Sequence, residues 1–518
     1  MSSPAPKSPE VSDKSKKYDR QIRLWGEHGQ QSLESAQVCL INATCLGTEI
    51  LKGIVLPGIG GFTIVDGRTV TEEDIGCNFF LEPASLNQPR AQCCSHLLQE
   101  LNPDVNGDYV DENIDSLLVN NPEFFKNFDL VVGTALGEKT IMTLSSKLWD
   151  LNIPFFVCRS VGFIASARLQ IREHCVVEAH PDNRQTDLRL EEPFPALREY
   201  VDNIQLSAKV PWLVVLCKFL EEWAKGKDHA VPKMYKEKKE LRELIRLAMN
   251  KDEENYEEAI KAVNSSFGGG RVTATLQKIL DDPECTNLKK DSKSFWILVR
   301  ALRDFVENEG NGWLPLPGTL PDMTAETAFY IALQNVYRNQ ALADADAIFR
   351  RVQHLLKEMN LPCDTVSEKD VRQFCREAAN IAVLRGSRIA DEYDKSYKRP
   401  AFGDYLEVPG ALIEHYIGLR AMERFHTEHG SLPIEVETDT ARLKNLSGKL
   451  FTEWNTTLSD ELAHELCRYG GAEVHSVSSF MGGCVAQEII KIISRQFKPI
   501  NNTFIYNAIK SETATFEL

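Results

Sequence analysis

A chain of 518 residues with a formal net charge of −16 and an isoelectric point near 5.3 is a poor match for nucleic acid or an anionic membrane surface as its main partner. Apolar content of 43% and charged content of 26% are ordinary for a globular protein, and no apolar run reaches the ~18 residues of a membrane span. The length allows two or three domains.

The first 17 residues, MSSPAPKSPEVSDKSKK, are rich in Ser, Pro and Lys. They lack the hydrophobic stretch of a signal peptide and are expected to be a disordered tail. Tyr18–Gly26, YDRQIRLWG, then opens a polar helix to about Ala36, with Ile22 and Trp25 at helical spacing as core.

Val38 to Asp66 is the stretch around which the rest is organised. Val38–Ile41 is an apolar run of strand length, Thr48–Leu56 has apolar residues at helical spacing and is stopped by Pro57-Gly58, and Phe62–Val65 is a second apolar strand closed by Asp66. This βαβ opening calls for a glycine-rich phosphate cradle with an acid ~20 positions later for a ribose. The acid is present, but the turn reads Asn42-Ala43-Thr44-Cys45-Leu46-Gly47. A β-branched Thr and a Cys stand where backbone must approach phosphate oxygens, a task that favours residues without a Cβ. The fold signal survives while the loop chemistry is damaged.

Val70–Leu81 reads as a loop leading into a helix over Pro89–Leu101. Strands follow at Phe128–Gly133 and Pro154–Cys158, with a helix at Glu138–Leu151 between them. Alternating βαβ units imply a parallel sheet covered on both faces. The alternation in Ala167–Arg172 suggests a half-buried strand on an antiparallel extension. The polar, Pro-punctuated segment 176–205 is a crossover. From Leu206 the periodicity turns helical: Trp212–Trp223, Tyr235–Met249, Phe295–Asn308, Ala325–Leu342, Ala347–Met359, Lys369–Asp391, Ala411–Glu428 and Leu443–Trp454. A long helix over Ala472–Arg495 carries Gly482-Gly483 in its middle, which would let a neighbouring backbone come close. Thr503–Tyr506 and Thr515–Leu518 look like final strands. The expected domains are therefore 18–175, a helical insertion over 206–460, and a completion of the α/β fold over 461–518.

The 13 cysteines form no C-x-x-C pair, so a zinc ribbon is not expected. They read as reduced core thiols of a cytoplasmic or nuclear protein. Cys175, beside His174 and Glu178, is the nearest to a reactive setting, but it is a weak candidate nucleophile.

YDRQIRLWG, the βαβ unit ending in Asp66, DLRLEEPFP, and RYGGAEVHSVSSFMGGCVAQEIIKIISRQFKPINNTFIYN together resemble the activating enzymes of ubiquitin-like modifiers, over nearly the whole of Tyr18–Leu518. The resemblance implies a Rossmann-like adenylation fold of the ThiF/MoeB type. Such a fold binds ATP and magnesium, activates a modifier's C-terminal carboxylate as an acyl-adenylate, and passes the acyl group to a cysteine in a separate domain. This chain departs from the catalytic pattern. Only Gly47 of the glycine turn is kept, Cys77 stands for the arginine facing the triphosphate, Arg90 for the lysine of G-x-P-K, and Leu136 for the carboxylate that helps hold magnesium. The length and the helical insertion are closest to the regulatory subunits of the heterodimeric enzymes for the Nedd-type modifier. That likeness implies no cofactor on this chain, and a catalytic partner subunit that carries ATP, magnesium and the thioester cysteine. The Nedd-type modifier would be a further partner, and the conjugating enzyme an indirect one. It also implies that Arg20, in the Y-x-R-Q segment, acts in trans on the partner's ATP. Leu56, Pro57, Ile59 and Phe62 are expected at the subunit interface, with Ile331 and Tyr337 forming either a second contact or part of the chain's own core.

Three alternatives stand beside this reading. A SUMO-type regulatory subunit is opposed by the large helical insertion, and a Rossmann dehydrogenase by the absent G-x-G-x-x-G. A protein-binding scaffold is compatible with the main reading.

Overall fold

The computed structural model describes residues 16–182, 185–228, 230–250, 253–394, 411–454 and 458–518, with the side chains of 449–454 left aside. The expected tail lies almost wholly outside the described residues. The chain divides into two compact units, Met1–His174 with Leu384–Leu518, and Cys175–Val383.

The first unit begins with helix α1 (Asp19–Ser35), broken at Gly26, whose φ of 70° is left-handed. An added Cβ there would meet His28 Nδ1 at 2.9 Å, so a side chain would be both strained and crowded. Strand β1 (Gln37–Ile41), helix α2 (Cys45–Val55) and strand β2 (Gly61–Val65) follow, as the apolar pattern predicts. Next come the short helix α3 (Glu72–Cys77), helix α4 (Arg90–Glu100) and strand β3 (Asn106–Val110). Strand β4 (Leu130–Thr134), helix α5 (Glu138–Asp150), strand β5 (Phe155–Val161) and strand β6 (Ile164–Gln170) complete the first pass. After the return from the second unit, helix α6 (Leu412–His429), helix α7 (His475–Ser494), strand β7 (Thr503–Asn507) and strand β8 (Glu512–Phe516) close the fold.

These eight strands form one sheet in the order β8-β7-β6-β5-β4-β1-β2-β3. Pairings from β3 through β5 are parallel, and those from β5 through β8 antiparallel. Alternation along β1 sends Val38 and Leu40 into one core with α2 and α7, and Cys39 and Ile41 into another with Ile141, Leu144 and Leu148 of α5. Both faces are covered, which is why the parallel strands read as unbroken apolar runs. The antiparallel extension at β6 is present, but all seven of its residues are buried, not half of them.

The second unit is helical. Phe295, Trp296 and Leu302 of the helix Ser294–Glu307 share a core with Ile348 and Val352 of Thr327–Glu358. The two expected helices over 325–359 are one helix of 32 residues. The expected helix over Lys369–Asp391 instead ends at Glu377 and is followed by a short strand, Ala382–Leu384. This unit closes at Val383, whereas the expected helical insertion runs to 460. Helices beyond 411 belong to the first unit, because Ile413, Tyr416 and Phe425 of α6 bury against Ile164, Ile505 and Phe516 of the sheet strands.

Three expected interface residues are corrected. Ile59 and Phe62 are 0% and 1% exposed in the first unit's own core, and Tyr337 is fully buried in the second unit, with its hydroxyl donating to the Leu188 carbonyl at 2.7 Å. A side chain used up by its own core cannot anchor a partner. Leu56 (52%) and Ile331 (48%) are exposed, and Pro57 is half-buried.

Candidate functional site

In the order β3-β2-β1-β4-β5 the chain direction of winding reverses between β1 and β4, and ligands of open α/β sheets bind outside the carboxyl ends of strands at such a point. A cavity of about 590 Å³ lies there, lined among others by Thr44 after β1, Leu136 after β4 and Arg159 in β5. The degenerate phosphate loop is its wall.

The loop is satisfied from within. Asn42 adopts φ 65°, which Asn tolerates better than most residues, and its amide donates to the Thr134 carbonyl at 2.8 Å. Thr44 caps α2, its hydroxyl accepting from the Gly47 amide at 3.2 Å. The Ala43 amide donates to Asp66 Oδ2 at 2.8 Å. The Leu46 amide donates to Glu473 Oε2 at 3.3 Å. Three amides of the turn thus have partners in the chain itself, and a carboxyl sits at the helix N-terminus where a phosphate would be cradled. The glycine that survives serves packing: a Cβ on Gly47 would meet the Asn42 carbonyl oxygen at 2.9 Å.

Glu473 is held in place by the turn after β5, where the Gly162 amide donates to the Ala472 carbonyl at 2.8 Å. Burial pushes its carboxyl up to about 8, against the opposing pull of the Leu46 and Cys45 amides. Sequence reading missed this residue, because it lies 427 positions from the amide it fills and no spacing rule links them.

Asp66, at the position where a nucleotide-binding version would meet a ribose, is also occupied. Besides Ala43, it accepts from Arg90 Nε at 2.8 Å and from the Arg68 amide at 3.0 Å. Arg90 turns its Nη1 to Asp74 at 2.8 Å and is 4% exposed, so its charge is spent inside the fold. Cys77 lines the cavity half-buried, and Leu136 is 7% exposed in the α5 core. On the far wall, α6 contributes Leu419, Met422, Glu423 and His426, with Glu423 ion-paired to the buried Arg159. The walls therefore combine apolar side chains with the paired Arg90, Asp74, Arg159 and Glu423, and with the exposed Arg68 and Glu73. Among the described residues no cluster of His, Cys, Asp and Glu suits a metal ion.

Arg20 lies elsewhere, exposed on α1. The inner side of that helix is pinned: the Tyr18 hydroxyl accepts from Asn102 at 3.0 Å, and Gln21 donates to the Pro57 carbonyl at 2.7 Å. Cys175 is buried in the helical core of the second unit, and Cys363 is the exposed cysteine.

The ThiF family model matches residues 18–518. Over 524 residues the chain is 57% identical to a Nedd8-activating enzyme E1 regulatory subunit of Drosophila melanogaster, covering 100% of both chains. The chain belongs to the ThiF family, among the NEDD8-activating enzyme E1 regulatory subunits. The Xenopus laevis regulatory subunit is 47% identical over 98% of this chain and 99% of its own length. The Arabidopsis thaliana subunit AXR1 is 37% identical over 97% and 96%. Relatives of the same kind and length leave the SUMO-type and dehydrogenase alternatives without support. No helix among the described residues is long and apolar enough to cross a membrane.

Proposed function

We propose that this chain is the non-catalytic half of a heterodimeric activating enzyme for a NEDD8-type modifier, and that it binds neither ATP nor magnesium itself. A catalytic partner subunit carries the nucleotide, adenylates the modifier's C-terminal carboxylate, forms the thioester and hands the modifier to a conjugating enzyme. Full-length identity to regulatory subunits supports the assignment. The observation that carries the silent-site reading is the Glu473 carboxyl on the Leu46 amide. Adenylyl transfer depends on positioned positive charge and backbone donors around phosphate, and losing one such donor commonly costs ~10²–10³ in rate. Here the Ala43, Leu46 and Gly47 amides and the Arg90 guanidinium already have partners in the chain, and Cys77 and Leu136 offer neither a positive charge nor a carboxylate. Arg20, outward on a pinned helix, is the residue we assign to the partner's ATP, where a guanidinium fork would meet phosphate oxygens. Leu56 and Pro57 are assigned to the subunit contact, and Ile331 to a second one.

Co-purification from cells followed by reconstitution tests the proposal. One stoichiometric partner should be recovered, and modifier-dependent ATP–pyrophosphate exchange should require both chains. Exchange catalysed by this chain alone would refute it.

A further inference from the structure

The wall of the cavity carries two thiols that the adenylation reading does not use. Cys45 is the first residue of α2 and 2% exposed, while Cys77 ends α3 and borders the cavity. The Cys45 thiol lies 3.1 Å from the Cys77 carbonyl oxygen, so the two cysteines are immediate neighbours in space. Their segments are clamped by the next residue, Asn78, whose amide donates to the Ala43 carbonyl at 3.2 Å and whose oxygen accepts from Thr48 Oγ1 at 3.0 Å. The two residues are therefore held side by side by the fold. They also differ. The Cys45 hydrogen bond and the Arg90 charge hold the Cys77 thiol below its usual range, although burial and Asp74 oppose this, while Cys45 is pushed up. Cys39, Cys94 and Cys158 are buried, and burial raises all three.

We propose that Cys45 and Cys77 form a redox-modification site at which a peroxide converts the pair to an intramolecular disulfide. The Cys77 thiolate attacks one oxygen of hydrogen peroxide and the O–O bond breaks. Hydroxide leaves and takes up the proton that Cys77 had released, giving water and a sulfenic acid. The Cys45 sulfur then attacks the Cys77 sulfur. The S–O bond breaks, and the departing hydroxide takes the Cys45 proton as a second water. Two thiols are oxidised and one peroxide is reduced to two waters. The product ties the N-terminus of α2 to the end of α3.

The test treats the full chain with hydrogen peroxide, alkylates remaining thiols, digests with trypsin and maps the peptides by mass spectrometry. The Cys77 peptide should appear joined to the peptide holding Cys39 and Cys45, lighter by two hydrogens than the sum of the two, and should separate on reduction with dithiothreitol. The link should persist in Cys39→Ala and vanish in both Cys45→Ala and Cys77→Ala, while the exposed Cys363 remains available to alkylation after Cys77 is not. A link that survives Cys45→Ala would overturn the proposal. So would Cys77 oxidised to sulfinic acid with Cys45 still alkylated, or both thiols alkylated at peroxide levels that oxidise Cys363. Where a variant fails to fold, fragmentation of the linked wild-type peptide places the bond at Cys45, as expected, or at Cys39, which would overturn the proposal.

Discussion

Glu473 and Arg20 carry opposite halves of the account. Because burial lifts the Glu473 carboxyl from 4.5 to about 8, the folded chain holds a proton there that the unfolded chain releases. Between those values the unfolded state binds fewer protons, so this group makes stability fall as pH rises and adds no slope above about 8. Glu473→Gln should therefore flatten the decline between pH 5 and 8, as read by chemical denaturation at several pH values, with equal slopes in variant and wild type counting against the burial of that carboxyl. Arg20→Ala should slow adenylate formation by the reconstituted pair ~10-fold or more, since a phosphate-facing arginine contributes on that scale or above. Assembly should be nearly unchanged, because one exposed arginine adds little to a large interface. Arg20→Lys should recover part of the rate. Pyrophosphate exchange at the wild-type rate with Arg20→Ala would leave it a surface residue. What the sequence makes legible at this scale is the departure of Thr44, Cys45, Cys77 and Leu136 from the pattern of a phosphate and metal site. The partner of the Leu46 amide was not legible, since Glu473 reaches the loop only through the fold. Apolar character likewise failed to separate Leu56, exposed, from Ile59 and Phe62, buried, because a core and an interface favour the same side chains.

Among the elements, α2 and α7 pack closely through glycine. A Cβ on Gly53 would meet Ala486 Cβ at 2.5 Å, and one on Gly482 would meet the Glu49 backbone carbon at 3.0 Å and the Ile50 nitrogen at 3.1 Å. Gly483, one residue on, has open space around it. Gly482→Ala should cost ~1–3 kcal/mol by overpacking. Gly483→Ala should gain ~1 kcal/mol from helix propensity. Thermal denaturation of the two variants measures this, and shifts of the same sign would contradict the packing. The Gly-Gly pair was readable as a close approach, but which of the two makes it was not. Strand β3 was missed altogether: NGDYV is polar, and only a sheet-edge position, exposed or half-buried throughout, allows that composition to pair with β2. The break between expected helices at 342–347 does not exist, because Ala343–Asp346 continues the helix without a Gly or Pro to stop it.

For the whole molecule, two compact units follow from a chain that leaves the sheet after β6 and returns to build its antiparallel side. The return is fixed by buried charge. Arg168 of β6, 0% exposed, donates from Nε to Glu392 at 2.7 Å, and Glu392 also accepts from the Tyr416 hydroxyl at 2.8 Å. Breaking a buried pair by removing one partner costs ~3–5 kcal/mol, so Arg168→Met should destabilise the first unit by about that much, read by chemical denaturation. A change below ~1 kcal/mol would show that the pair does not hold the return. Such long-range pairs are invisible to periodicity, which is why the expected boundary at 460 lies far from the observed one at 383. The central claim, that this fold keeps the shape of an adenylation domain while the donors of its nucleotide loop are taken by its own side chains, is tested most directly by calorimetric titration of magnesium-ATP into the purified chain and into the reconstituted heterodimer. The account predicts no binding heat from the chain alone and one nucleotide per heterodimer. A micromolar dissociation constant for the isolated chain, or two nucleotides per heterodimer, would contradict it.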